Sequence, residues 1–344
     1  MELGVGDVTQ QVSTGGLPGW EDIERLVRSA YERNRHVDEG VVADYIPELA
    51  SADPALFGVA VVEVDGSTHD AGDVGERFTI QSISKAFVYA LVCDHLGHAR
   101  VFERVGVNNT GLRFDSVMAI ELHQGHPRNP MVNAGAIATT ALVPGRNPAA
   151  QWRFISEGLS RFAGRQLELD DVVHASEAAT NQRNRAIARL LEGYGRIDHG
   201  PDAVVDLYTR QCALLVGAHD LAVMGATLAD GGVNPVTGER VISADACRDT
   251  LAVLAASGLY ENSGEWLFEI GLPGKSGVAG GIVAVSPGKA GIGTYSPPLD
   301  AAGNSVRGQR ATAYLSRSLG LNIFASEVHG VPDPDEPLSA ERST

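Results

Sequence analysis

Ser82 and Lys85, in the run Ser82-Ile83-Ser84-Lys85, are the two residues of this sequence with the sharpest chemical content. A serine hydroxyl is a weak nucleophile until a nearby base takes its proton. A spacing of three on a helix brings both side chains to one face, where they can touch. At a helix N-terminus the unpaired N–H groups and the positive end of the dipole favour developing negative charge. Lysine can act as that base only where burial or a neighbouring cation lowers its pKa. Two fixed positions in four recur by chance in many chains, and the run also reads as a helix cap followed by a solvated lysine. A second element has to decide.

Lys275-Ser276-Gly277 supplies one. It follows Pro273-Gly274, leads into a Gly-rich strand pattern and stands about 190 residues downstream. A second lysine facing the site would depress the pKa of Lys85 by like-charge repulsion. Gly277 lets a substrate carbonyl approach the strand backbone closely. The N–H of Val278 could then pair with the N–H of Ser82 as an oxyanion hole. S-x-x-K opening a helix, with a later K-[ST]-G, is the pattern of penicillin-binding proteins and class A β-lactamases. The two elements together point to a serine acyl-enzyme.

The elements that must position these residues follow from periodicity. Ile23, Leu26, Val27, Ala30 and Tyr31 recur at helical spacing, so residues 20–35 form an amphipathic helix. Residues 56–64 read as a strand turning at Asp65-Gly66, with 68–79 as returning strand material. Residues 82–95 carry no Gly or Pro and read as a buried helix, and further helices are expected over 148–164, 177–195, 201–215, 218–229 and 243–257. Gly-rich strand patterns cover 277–286 and 291–295, separated by Pro287-Gly288. A last helix over 305–319 and a short strand or extended segment at 321–325 follow.

The fold class expected is α/β of the α+β type. A mostly antiparallel sheet is built from N- and C-terminal segments and flanked by helices, with a helical subdomain inserted. The expected organisation is a lead-in at 1–18, one catalytic domain at 19–328, and a Pro-rich, charged, disordered tail at 329–344. Within the domain a sheet lobe (about 19–81 and 262–328) faces a helical lobe (about 82–261), and the cleft between them is the natural place for a site.

Composition narrows the function classes. The 344 residues are 44% hydrophobic and 20% charged, as in ordinary soluble enzymes. A formal net charge of −16 argues against binding to nucleic acid or to an anionic membrane surface. Cys93, Cys212 and Cys247 are odd in number and far apart, which fits a reducing compartment and core positions. With no secretory pattern at the N-terminus and no spanning apolar run, a cytoplasmic location is expected. His95-x-x-His98 and His123-x-x-His126 lack accompanying carboxylates or thiols, so no metal is expected. Gly277–Gly281 lacks the strand–GxGxxG–helix context of a dinucleotide site, and no cofactor is expected.

Longer blocks carry a closer resemblance. Tyr45-Ile-Pro-Glu-Leu-Ala50, Gln81-Ser-Ile-Ser-Lys85, Asn129-Pro-Met-Val-Asn-Ala-Gly-Ala-Ile137, Ser176-Glu177 through Arg183-Asn184, Lys275-Ser-Gly-Val-Ala-Gly-Gly281, and Ser296-Pro-Pro-Leu-Asp300 with Gly303-Asn-Ser305 resemble the serine-dependent glutaminase family. They occur in the family's order over roughly residues 20 to 325.

The resemblance implies a β-lactamase-like fold and hydrolysis of L-glutamine to L-glutamate and ammonia. Ser82 would form a glutamyl ester and Lys85 would accept its proton, alone or through a tyrosine. Tyr260 matches the family tyrosine beside the nucleophile. A phenol of ordinary pKa near 10 would need Lys85 and Lys275 adjacent to act as a base. Glu177 would pair with the substrate ammonium, and Asn133, Asn184 and Tyr208 match polar ligands, with Tyr45 at the mouth. The seven-residue gap from Glu177 to Asn184 would place both on one helix face. A homodimer or homotetramer is implied as well. A penicillin-interacting hydrolase and a catalytically silent amino-acid sensor are the competing readings. The Met-Val-Asn-Ala-Gly block opposes the first, and the intact Ser82, Lys85 and Tyr260 set opposes the second.

Overall fold

The computed structural model describes residues 3–4, 7–9, 11, 16–44, 46–198 and 200–326. The expected tail at 329–344, much of the expected lead-in and the candidate residue Tyr45 lie outside the described residues.

The chain opens with α1 (Trp20–Asn34), whose Ile23, Val27 and Ala30 are buried at the spacing that predicts it. β1 (Gly58–Glu63) and β2 (Thr68–Gly72) form the expected hairpin through Asp65-Gly66. β3 (Phe78–Thr79) and a 3₁₀ turn at Gln81–Ile83 lead into α2 (Ser84–Leu96). The helical segment continues with α3 (His98–Phe102), α4 (Met118–Glu121), α5 (Asn133–Ala141), α6 (Pro148–Ala163), α7 (Asp171–Thr180), α8 (Gln182–Gly193) and α9 (Pro201–Cys212). β4 (Leu215–Val216), α10 (Ala218–Ala229), α11 (Ala244–Ser257) and α12 (Ser263–Glu269) follow. β5 (Gly274–Ser276), β6 (Gly281–Ser286), β7 (Ala290–Tyr295) and α13 (Val306–Ser318) complete the described chain.

Five strands make one antiparallel sheet in the order β2-β1-β7-β6-β5, so early and late segments meet at the β1–β7 pair. Along β1, Val59 and Val61 enter a core with Ile23 and Val27 of α1 and Leu315 of α13. Ala60 and Val62 enter another with Ala222, Val223 and Ala226 of α10. Both faces are covered, so the strand is apolar throughout although its residues alternate between faces. A Cβ on Gly291 would lie 2.2 Å from Ala226 N, and one on Gly293 would lie 2.0 Å from Ala218 O. The α10 backbone therefore rests directly on β7, although its sequence position falls in the range expected for the helical lobe.

Several expectations need correction. Residues 68–79 are not one strand: β2 ends at Gly72, and β3 leaves to pair with β4 in a separate two-stranded sheet. Gly72 has φ +75, and a Cβ there would meet the Phe57 carbonyl and the Tyr31 ring, so the chain bends away at that point. The expected helix 177–195 is two helices, broken at Asn181. The Asn181 side chain accepts from Arg185 Nε at 2.9 Å and donates to Thr209 Oγ1 at 3.2 Å. Such side-chain bonding offers the backbone an alternative to continued helix. Residues 277–280 are a turn rather than the start of a strand, and Lys275 and Ser276 themselves lie on β5. Residues 321–325 hold no strand. Leu321 N donates to Ser316 O and Ile323 N to Gly271 O instead.

Candidate active site

The 3₁₀ turn carrying Ser82 leaves Lys85 in the first turn of α2, fully buried. Gln81 reaches this turn with φ +50, in the left-handed region that non-glycine residues rarely adopt. Opposite stands the turn between β5 and β6. A Cβ on Gly277 would lie 2.9 Å from Ile80 O and 3.4 Å from the Gln81 Cβ, so only glycine lets the two turns approach this closely.

Tyr260 joins the two sides. It too has a positive φ, of 58°, and it lies in a buried 3₁₀ turn between α11 and α12. Its hydroxyl donates to the Ser276 carbonyl at 3.4 Å, and hydrogen bonding by the Ser82 side chain acts to lower its pKa. The Lys275 ammonium donates to that same carbonyl at 2.9 Å and sits 4.0 Å from the Tyr260 ring centroid.

Burial sets the electrostatics. Lys85 is brought down from its ordinary value to about 8, mainly because its charged form is desolvated. Lys275 is also pushed well down, by burial first and by the charge of Lys85 second. The repulsion thus falls on Lys275, whereas the sequence reading has Lys275 lowering Lys85. Burial raises Tyr260 to about 12, against which the side chains of Ser82 and Ser276 act downward. The phenol is therefore protonated at neutral pH and offers a proton rather than accepting one.

Lys85 Nζ donates to Asn133 Oδ1 at 2.7 Å and to Met131 O at 3.2 Å. Asn133 Nδ2 donates to Asn184 Oδ1 at 2.9 Å, and the Tyr208 hydroxyl donates to Asn133 Oδ1 at 3.4 Å. Asn133 is N1 of α5 rather than part of a turn, and it links the lysine to Asn184 and Tyr208. Glu177 and Asn184 both face a cavity of about 420 Å³ that is also lined by Asn133, Phe114, Ile46 and Asn181. They arrive there from two helices, α7 and α8, so they do not share one helix face. Glu177 lies in the second half of α7, away from that helix's N-terminus.

The Glu177 Oε2 is buried without a hydrogen-bond partner. Burial raises this carboxyl to about 7, while the charge of Lys85 and a hydrogen bond from Gln81 act in the opposite direction. A carboxylate in that condition is ready for a cation. Val278 is buried in the β5–β6 turn beside Gly277.

Sequence reasoning missed three contributors. Gln81 binds Thr79 Oγ1 at 3.1 Å as well as Glu177, and its place immediately before Ser82 was the available signal. Phe114 packs 4.9 Å from the Tyr260 ring, with Lys85 Nζ 5.8 Å from its own ring. Ser84 donates to the Gln81 carbonyl at 2.7 Å. Phe114 lies in a loop without periodicity, where nothing in the sequence marks it. In the second histidine pair, His123 Nδ1 lies 2.9 Å from Ala119 O and His126 Nε2 lies 3.3 Å from Phe102 O.

Residues 40–324 match the family model described as Glutaminase. This chain belongs to the glutaminase family. It is 55% identical over 320 residues to Glutaminase 2 of Yersinia pestis, covering 93% of this chain and 94% of that protein. It is 50% identical to the glutaminase of Mycobacterium ulcerans, covering 88% and 94%. Among solved structures, that of "Probable glutaminase ybaS" superposes with a TM-score of 0.89 at 46% identity, covering 90% of this chain and 100% of that one. A structure of Mglu in its glutamate form superposes with a TM-score of 0.85 at 39% identity, covering 89% and 71%. The expected antiparallel sheet with flanking helices is the fold of these glutaminase structures, and the chain is a hydrolase of this class. Among the described residues no helix is long and apolar enough to cross a membrane.

Proposed function

We propose that this chain hydrolyses the side-chain amide of L-glutamine through a Ser82 acyl-enzyme. Ser82 Oγ attacks the amide carbon as its proton passes to Lys85. The resulting oxyanion is held by the N–H groups of Ser82 and Val278. The C–N bond then breaks as the leaving nitrogen takes a proton from Tyr260, which recovers one from Lys85. Ammonia departs and a γ-glutamyl ester remains on Ser82. Water attacks the ester, with the same groups moving protons in reverse, and glutamate leaves.

The observations that carry this reading are the hydrogen bond by which the Ser82 side chain acts on the Tyr260 phenol and the burial that brings Lys85 down to about 8. At neutral pH a usable fraction of Lys85 is neutral while Tyr260 stays protonated, so base and acid are already distinct. Lys275 positions Tyr260 from beneath its ring and shares the Ser276 carbonyl with it.

Glu177 receives the substrate ammonium, and Asn133, Asn184 and Tyr208 orient the amino-acid head. A site with directional partners for that head rejects amides lacking it. The chemistry is carried by side chains and backbone alone. The protein is proposed to act in the cytoplasm as a homodimer or homotetramer, with a sheet lobe and a helical lobe in one catalytic domain.

The experiment is ammonia release from L-glutamine, D-glutamine and L-asparagine by the wild type and Ser82→Ala. Turnover of L-glutamine that is lost in Ser82→Ala supports the reading. Absence of release from every amide by folded wild type contradicts it.

A further inference from the structure

Among the described residues, Gln81, Gln124 and Tyr260 are the non-glycine positions with left-handed backbone. One of them, Gln81, immediately precedes Ser82, and another, Tyr260, is bonded to it. Backbone in this region persists only where its surroundings over-determine it. The groups that hold Gln81 are therefore part of what aims the nucleophile.

Its carbonyl is held by Ser84. The Ser84 Oγ donates to Gln81 O at 2.7 Å, and both residues are buried. A hydroxyl has one proton, so Ser84 can only accept from its remaining neighbours. Gln211 Nε2 of α9 donates to it at 3.4 Å, and Cys212 Sγ lies 3.9 Å away. The other end of the Gln211 amide, Oε1, lies 3.1 Å from Thr140 Oγ1 of α5, a hydroxyl that also lies 2.9 Å from Ala136 O. A serine bonding three residues back is common at helix starts and by itself is only a cap. Here the hydroxyl is instead the end of a buried chain running from α5 through α9 to the turn that carries Ser82.

We propose that Ser84 and Gln211 are positioning residues for the acylation step. Ser84 locks the left-handed Gln81 carbonyl, and Gln211 fixes the direction in which Ser84 donates. The assignment rests on Ser82 being the nucleophile.

The test uses the full chain and L-γ-glutamyl-p-nitroanilide in single turnover with enzyme in excess. The release rate at saturating enzyme reports acylation per competent site, whatever fraction of the sample is folded. Ser84→Ala and Gln211→Leu are expected to lower this rate about 10- to 100-fold, since misplacing a reacting group by an ångström costs on that order. The KM for L-glutamine is expected to move less than about threefold, because the residues that face the substrate head are untouched. The double variant should be no slower than Ser84→Ala, because both act through one hydroxyl. Wild-type rates in both variants, or losses that multiply in the double variant, would overturn the proposal. Ser82→Ala in the same assay separates the two ideas. Anilide release by that variant overturns the nucleophile assignment, whereas its silence beside unimpaired Ser84→Ala overturns only the positioning role.

Discussion

The Lys275 ammonium sits 4.0 Å from the centre of the Tyr260 ring and donates to Ser276 O, the carbonyl to which the Tyr260 hydroxyl also donates. The lysine thus fixes the tyrosine at its ring face and at its hydroxyl's acceptor. Tyr260 is buried and raised to about 12, and in the proposed mechanism it is the proton donor, so removing the hydroxyl should affect the leaving nitrogen above all. We expect Tyr260→Phe to lower kcat on L-glutamine about 100-fold or more. A γ-glutamyl ester, whose alkoxide leaving group needs less proton assistance, should lose less. Equal losses on amide and ester would contradict this role.

In the proposed mechanism Lys85 must be neutral to take the Ser82 proton, so activity should rise with pH. With its pKa at about 8, kcat/KM should climb through pH 7 to 9 and level above. Lys85→Arg, permanently charged, should lose activity by at least about 1,000-fold at every pH. A profile already flat from pH 6 would place the proton acceptor elsewhere.

Glu177, which we propose receives the substrate ammonium, should cost stability. Its carboxyl rises from 4.5 to about 7 on folding, so between those values the folded chain holds more protons than the unfolded chain. Stability from this group is therefore present at low pH and lost as pH rises towards 7. At pH 8, Glu177→Gln should be more stable by about 1–3 kcal/mol in denaturant unfolding. The same variant should raise the KM for L-glutamine about 100-fold. Lower stability in the variant at pH 8 would refute the argument.

Gly277 is constrained by approach rather than by φ. An alanine Cβ would stand 2.9 Å from Ile80 O and 3.3 Å from an Ile83 side-chain carbon, pushing the β5–β6 turn off the Ser82 turn. Because Val278 N–H moves with that turn, Gly277→Ala should cut kcat about 10- to 1,000-fold. Unfolding should shift by only about 1–3 kcal/mol, as overpacking does. Unchanged kcat in a folded variant would remove Val278 from the oxyanion site.

Part of the candidate site was legible because the residues concerned are local in sequence, whereas Tyr260, Glu177, Asn133, Asn184 and Tyr208 were named only through the family resemblance. Ser82 and Lys85 lie within one turn, and Lys275, Gly277 and Val278 lie on one strand and the turn after it, so spacing alone groups them. The sheet was legible because β1, β6 and β7 are uninterrupted apolar or Gly-rich runs bounded by Asp65-Gly66 and Pro287-Gly288. The break at Asn181 was not legible. It depends on Thr209, which is 28 residues distant, and no helix-breaking residue marks it. The direction of the Lys85–Lys275 effect was also hidden, because it depends on burial and on charges distant in sequence. Lys85 has the Asn133 oxygen and feels the charge of Glu177, whereas Lys275 is lowered by burial and by Lys85.

The central claim is a covalent γ-glutamyl ester on Ser82, and acid-quench mass spectrometry tests it most directly. Wild type mixed with L-γ-glutamyl-p-nitroanilide and quenched within milliseconds should carry one γ-glutamyl group on the peptide containing Ser82. The adduct should be labile to hydroxylamine and absent from Ser82→Ala. An adduct on another residue, or rapid turnover by Ser82→Ala, would contradict the account.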